Sequence, residues 1–345
     1  MNYDLHGKMN QFMERGEAPF IFWVCLLMLL SPAYAYSQEF ELTPPEFYSF
    51  EPVFTKSYIT QNRIKAIHAS LVYKHDNQPI EDKGLRKCWE YDTDGLLKRY
   101  YATSVKGFTN IEIPHTAIYR RGRRISPAYI SLQQTYLYDT TFTSYYYNTE
   151  KRLIIRRTRD GDYYTSVYYE YDDSGNIRKQ TVFRETNASE NKNEFRLGVQ
   201  NLLSSEEFRY EKNNALQSRR RHFNDEGKEY KQTIYNYDSL GRLKEENNSF
   251  TVSWMRASLK LEYDKAGRLS KKLYASNENG DETSKSEYVY NTDNLPDIEK
   301  RFKGDQLCFE FNYIYDRKNK MLLSHFVRED LNKAIVIVKY AYDTY

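Results

Sequence analysis

Between residues 58 and 345, apolar and polar side chains alternate in short runs that end at tight turns. The run Leu259–Tyr263 shows the pattern: Leu259, Leu261 and Tyr263 alternate with Lys260 and Glu262. A period of two sends successive side chains to opposite faces, so these runs predict β-strands with one aromatic face and one polar face. A tyrosine marks the end of each run, at Tyr91, Tyr119, Tyr147, Tyr171, Tyr210, Tyr237, Tyr263, Tyr290, Tyr315 and Tyr342. The spacing stays between 24 and 28 residues except for one interval of 39, whose excess falls in the polar stretch 185–198. Two residues before most anchors stands another apolar side chain, such as Trp89, Tyr169, Phe208, Tyr235 or Tyr313. Six residues after come Leu97, Leu153, Ile177, Leu243, Leu269 or Met321.

The residues between anchor and apolar partner describe a turn. Asp or Asn usually follows the tyrosine, and Gly95, Gly175, Gly241 and Gly267 stand four after it. Asp at the start and Gly near the end fit a type I turn closed by a bulge, which needs positive φ at the glycine. A second turn signal lies midway in many intervals, as at Asp160-Gly161 and Glu226-Gly227. Each unit is therefore two strands and two turns. About twenty strands are expected, each of ordinary length. No helical period is visible. The fold class expected is all-β: a long antiparallel meander of hairpin repeats, one curled or coiled sheet with its tyrosines inside the curve.

The clearest copies read YDTDGLL from Tyr91, YDDSGNI from Tyr171, YDSLGRL from Tyr237 and YDKAGRL from Tyr263. They resemble the YD-repeat, or Rhs-like, family, whose units read Y-D-x-x-G-R-L. The resemblance covers about residues 60–345. It implies a curled β-shell whose repeat residues include Tyr91, Gly95, Tyr171, Gly175, Tyr237, Gly241, Tyr263, Gly267, Tyr290 and Tyr315. In larger relatives such shells often enclose a toxin; no end-of-shell motif or cargo domain follows the last unit here.

Ahead of the repeats, residues 18–30 carry no charge, and Ala33-Tyr34-Ala35 supplies small residues for cleavage. Residues 1–37 are expected to be a signal peptide, with an uncleaved anchor as the rival. Residues 38–57, with Pro44, Pro45 and Pro52, read as an extended lead-in to one domain over 58–345. Export directs the protein to the periplasm, the cell surface or the medium, and limits membrane contact to the transient passage of that leader.

Composition narrows the chemistry. With 51 Lys plus Arg against 48 Asp plus Glu, the balance points away from nucleic acid. The 34 tyrosines supply the core that aliphatics do not. Runs such as Arg120-Arg121 with Arg123-Arg124, Arg156-Arg157 and Arg219–Arg221 read as solvated strand faces, because neighbours on a strand diverge. His6, His68, His75, His115, His222 and His325 fall in no metal spacing, and no phosphate loop or nucleophile–base pair appears. Cys88 and Cys308, eight units apart on an open sheet, are expected as free thiols. No catalytic residue, cofactor or metal is expected. The function read from the sequence is a non-catalytic envelope interaction or structural module. A carbohydrate binder using the tyrosine face and a component of a contact-dependent toxin system stand as alternatives, so the partner is an unidentified envelope protein or a glycan.

Overall fold

Runs rich in Tyr, Val, Ile and Thr form strands because β-branched and aromatic side chains pack well on a pleated surface. A computed structural model of the chain describes residues 40–41 and 52–345, except 122, 127, 192–193, 252, 279 and 330–333. The expected signal peptide and its cleavage site lie outside the described residues.

A short ladder joins β1 (Phe40–Glu41) to β2 (Val53–Phe54). Helix α1 (Lys56–Gln61) follows, with the Thr55 hydroxyl accepting from the Tyr58 N–H at 3.3 Å. The sequence gives no helical period there, and the lead-in thus ends in a helical turn and a half. The strands that follow are β3 (Ile64–His75), β4 (Glu81–Tyr91), β5 (Leu97–His115), β6 (Ile118–Arg120), β7 (Arg123–Ser126), β8 (Tyr129–Tyr147), β9 (Leu153–Asp160), β10 (Tyr163–Tyr171) and β11 (Ile177–Asn187). The second half holds β12 (Leu197–Asn214), β13 (Gln217–Phe223), β14 (Glu229–Tyr237), β15 (Leu243–Phe250), β16 (Arg256–Tyr263) and β17 (Leu269–Ser276). It ends with β18 (Glu282–Tyr290), β19 (Pro296–Lys303), β20 (Gln306–Tyr315), β21 (Leu322–Glu329) and β22 (Ala334–Thr344).

All of these from β3 onward, except β6 and β7, form one antiparallel barrel of 18 strands in chain order. The expected open meander is corrected at its ends: β22 pairs with β3 from Ala334 opposite His75 to Thr344 opposite Ile64. An open sheet leaves two rows of unpaired N–H and C=O groups, and closure removes both. The two closing strands suit each other. Val336, Val338 and Tyr340 on β22 stand opposite Tyr73, Leu71 and Ala69 on β3, all on one face. Tyr119, counted among the anchors, falls in the small β6–β7 hairpin and adds nothing to the wall.

The anchor face is the inner one. Residues of β3, β4, β20, β21 and β22 converge with Phe54, Tyr58 and Ile59 in a single core cluster that includes Trp89, Phe311, Tyr313, Val327 and Tyr340. Only the concave side of a curved sheet lets side chains from five adjacent strands converge. Helix α1 packs into this cluster, with Phe54 edge-on to Trp89 and Tyr340. On the opposite wall the burial alternation fades. Every residue of β15 from Glu245 to Phe250 is half-buried, whichever face it occupies. That wall is wetted on both sides, and the barrel is hollow there.

The turns follow the sequence closely. In the first, the Asp92 N–H donates to Leu96 O and the Gly95 N–H to Asp92 O, with Gly95 at φ 76°. Gly175, Gly241 and Gly267 repeat it at φ 84°, 77° and 85°. In sister turns Lys151 and Asn294 take positive φ without being glycine. Gly267→Val should therefore cost about 1–3 kcal/mol through backbone strain. Gly198, in the polar insertion, is no silent control: a Cβ there would meet Thr186 Oγ1 at 2.6 Å. Gly107 has ordinary φ and nothing within 4 Å of its Cβ position. Thermal melts should separate Gly267→Val from Gly107→Val by several degrees; equal melting points would contradict the turn geometry.

Cys88 and Cys308 are both free and buried. They stand on β4 and β20, four strand spacings apart in the closed wall, about 19 Å at ~4.8 Å per strand. The distance comes from the strand order of a closed barrel, rather than from an open sheet of eight units.

Candidate functional site

The repeat motif builds the barrel rather than a binding face. In the two turns that read G-R-L the Asp carboxylate accepts from backbone N–H groups and from an Arg: Asp238 is 2.7 Å from Arg242 and Asp264 is 2.6 Å from Arg268. These contacts, the hydrogen bonds outweighing burial, hold both carboxyls below the usual carboxylate range; burial, the largest cause, acts in the opposite direction. The arginine then stacks on the next anchor, Arg242 over Tyr263 at 4.3 Å and Arg268 over Tyr290 at 4.5 Å. Most anchor hydroxyls are tied to the preceding hairpin. Tyr171 donates to Leu153 O at 2.7 Å, Tyr263 to Leu243 O at 2.7 Å, Tyr290 to Leu269 O at 2.7 Å and Tyr315 to Pro296 O at 2.8 Å. Tyr237 differs, lying 3.3 Å from the Ser218 hydroxyl, and Tyr91 is buried beneath α1 with its main-chain oxygen accepting from the Tyr345 hydroxyl. The sequence names the tyrosine and glycine of each unit but misses the arginine that links one unit to the next. Its signal was present, as the R of G-R-L. With hydroxyls tied to the backbone, the tyrosine face is not the glycan platform entertained from the sequence.

Polar chemistry lies between the anchors and the far rim, on the inner wall. Two networks stand out. In the first, Tyr313 donates to Glu299 Oε2 at 2.9 Å and Arg301 Nε donates to Glu299 Oε1 at 2.7 Å, all three buried. Lys272 shares this pocket; burial lowers its ammonium to about 8, with Arg301 acting the same way and Glu299 against. In the second, His222 Nδ1 meets Glu206 Oε1 at 2.5 Å and the Tyr230 hydroxyl donates to the same oxygen at 2.5 Å. Arg220 Nε donates to His222 Nε2 at 3.1 Å, which leaves the ring proton on Nδ1. Arg220 lies between the rings of Phe208 and Tyr235, and Lys231 sits over Phe250.

The outer face carries the opposite pattern. Its charges pair mostly across strands: Arg99 with Glu90, Arg178 with Glu170, Lys179 with Glu207, Arg221 with Glu211 and Glu229, Lys260 with Glu245 and Lys300 with Glu310, while Lys285 pairs with Glu287 along its own strand. One outer pair is buried. Arg157 Nε lies 2.9 Å from Glu185 Oε2, and the hydroxyls of Ser166 and Tyr168 and the amide of Gln200 complete that carboxylate's shell. The solvated face expected for Arg156-Arg157 is thus wrong for Arg157. Among the described residues no group of three or more His, Cys, Asp and Glu is placed to hold a metal ion.

No protein-family model matches the chain, and no curated protein does. The YD-repeat resemblance is therefore corrected: the motif is present as local geometry, but the closed barrel is not the coiled shell which that family implies. Solved structures that resemble the fold include two porin-like proteins. One is a porin-like protein from Bacteroides uniformis, at 11% identity and TM-score 0.38, covering 82% of this chain and 97% of that one. The other is a porin-like protein from Bacteroides vulgatus, at 10% identity and TM-score 0.28, covering 60% and 95%. Likenesses this distant carry no functional argument. The envelope module of YD repeats, the sugar platform and the toxin-shell component all presumed the repeat shell, and closure removes that premise.

The lowered Lys272 gives a pH dependence with a definite sign. Between about pH 8 and its unfolded value of about 10.5, the folded protein holds fewer protons there than the unfolded chain. Stability should rise with pH across that window, by on the order of 2 kcal/mol from this group. Buried tyrosines such as Tyr288, raised by burial, oppose the trend from about pH 9 upward, because the unfolded phenol titrates around 10. Urea unfolding at pH 8 and pH 9, below the tyrosine range, should show the parent gaining more stability than Lys272→Met. An equal gain in Lys272→Met would assign the effect elsewhere.

Proposed function

We propose that this protein is a non-catalytic, exported barrel that stands in water and holds a small anionic solute in its lumen. The observation that carries the reading is a contrast between the two faces. Most outward cations are matched to carboxylates, as described above, and among the described residues the outward exceptions include Arg159, Arg209, Lys271, Arg328 and Lys339. Inward, Arg156, Arg184, Arg220 and Lys231 form no ion pair among the described residues, and Arg156 and Arg184 are well exposed to the lumen. The inward carboxylates are engaged: Glu206 by His222 and Tyr230, Glu299 by Arg301 and Tyr313, and Glu246 by the Asn248 amide. Guanidinium forks match carboxylate and phosphate oxygens in the plane, so such a lumen favours an anion over a neutral sugar.

The outer ion pairs support water rather than lipid around the barrel. A membrane-spanning barrel shows hydrocarbon an apolar band, and each Lys or Arg at mid-depth costs about 2–4 kcal/mol. Here Lys260 on β16, Lys285 on β18 and Lys300 on β19, with their carboxylates, sit away from the strand ends on the outer face.

Thiol labelling tests the reading. Thr165 faces inward beside Arg184, and Ser258 faces outward on β16. With Cys88 and Cys308 replaced by alanine, Thr165→Cys should react at least about fivefold faster with an anionic methanethiosulfonate than with a cationic one, relative to Ser258→Cys. A preference for the cationic reagent, or none, would overturn the anionic lumen. Failure of both reagents at Thr165→Cys would overturn the hollow barrel itself.

A further inference from the structure

Strands β5 and β8 are 19 residues each, about twice their neighbours. Only the start of β5 and the end of β8 belong to the barrel: β4 pairs with β5 no further than Ala102, and β9 pairs with β8 from Phe142 onward. Beyond that the two strands pair with each other alone, to His115 opposite Tyr129. The base is held by the hydroxyls of Tyr136 and Tyr138, which donate to Glu81 and to Lys83 O. From Thr109 to His115 the ribbon extends about 24 Å at ~3.4 Å per residue, and β6–β7 follows it.

The arm is coloured unlike the barrel. Phe108 is 61% exposed, Ile111 50%, Tyr119 63%, Tyr129 52% and Ile130 63%. At its end the β6–β7 ladder brings Arg120 opposite Arg123 and Tyr119 opposite Arg124, with Arg121 in the turn. Arg121, Arg123 and Arg124 are exposed and form no ion pair among the described residues, and Glu112 is the one acid between Lys106 and Arg124. The sequence argument that an arginine run splits between two strand faces fails here, because the run spans a hairpin tip.

We infer that this arm docks the barrel on an anionic lipid surface, with the arginines on headgroup phosphates and the apolar side chains in the interface. Arginine next to aromatic and aliphatic side chains is the chemistry that holds a segment at the headgroup boundary. A polyanion in water would use the arginines but would give Ile111 and Ile130 no reason for exposure. The ribbon carries apolar side chains on both faces, as Ile111 on one and Ile130 on the other, which suits insertion end-on rather than packing against one flat partner. The contact is peripheral, so it leaves the barrel in water.

The test is sedimentation of the full chain with vesicles. Binding to vesicles of phosphatidylcholine with 30% phosphatidylglycerol, by mole, should exceed binding to pure phosphatidylcholine at least tenfold, and should weaken as salt rises. The triple variant Arg121→Gln, Arg123→Gln, Arg124→Gln should lose at least tenfold, and so should Phe108→Ser with Ile130→Ser; both should keep the parent melting temperature. Equal binding to the two vesicle types would overturn the inference. So would full binding by the apolar variant. Tight binding to heparin with none to vesicles would assign the arm to a soluble polyanion instead.

Discussion

Tyr313→Ala should destabilise the barrel by about 3–5 kcal/mol, the usual cost of truncating a buried aromatic. The ring lies parallel to Phe311 with centroids 6.4 Å apart and faces His325 at 5.7 Å, so its removal opens the centre of the core. Its hydroxyl donates to the buried Glu299, and a buried carboxylate that loses a donor adds its own cost. Tyr313→Phe separates the terms, keeping the ring and losing about 1–3 kcal/mol with the hydrogen bond. Tyr235, half-buried at the wetted wall with Arg220 over its ring, should lose less than Tyr313 on truncation. Urea midpoints order the three variants; a Tyr235→Ala loss equal to that of Tyr313→Ala would mean that the lumen is filled.

Arg157→Ala should be nearly as damaging, at about 3–5 kcal/mol, because it strands a buried charge. Glu185 is fully buried, and burial alone would raise its carboxyl; Ser166, Tyr168 and Arg157 outweigh it and hold the carboxyl low. Phe195 lies 3.7 Å over the Arg157 guanidinium and Tyr164 meets the same ring edge-on, so the loop end at Phe195 is fastened to the outer wall through this pair. Loss of Arg157 should therefore both lower the melting temperature and open that loop to limited proteolysis. Arg157→Met with Glu185→Leu, which removes both charges, should recover most of the stability. No recovery would show that the surrounding hydroxyls, rather than the charge pair, fix the loop.

The strands, their faces and the turn glycines were legible because they repeat, and a repeat averages away local ambiguity. Closure was not legible. The unit says how one hairpin meets the next, whereas closure depends on β3 and β22 meeting across nearly the whole chain. Apolar matching at Leu71 and Val338 carries that contact, and no period announces it. Helix α1 is too short to show periodicity, and its place is set by tertiary packing of Tyr58 and Ile59. Charges were the least legible. Arg156 and Arg157 are neighbours in sequence, yet one faces the lumen and the other is buried on the outer wall. The inner wall's polar character follows from which of two faces is concave, and that is known only once the sheet has closed.

Closure itself can be measured at the seam. Ser70 on β3 stands opposite Lys339 on β22, both on the outer face, where facing Cα atoms of antiparallel strands lie about 4.5–5.5 Å apart. That separation suits a disulfide. In a chain with Cys88 and Cys308 replaced by alanine, Ser70→Cys with Lys339→Cys should oxidise in air to one intramolecular bond. Peptide mapping without reductant should then recover the two strands joined. Two free thiols under the same conditions, in a protein that is otherwise folded, would mean that the first and last strands do not meet and the sheet is open.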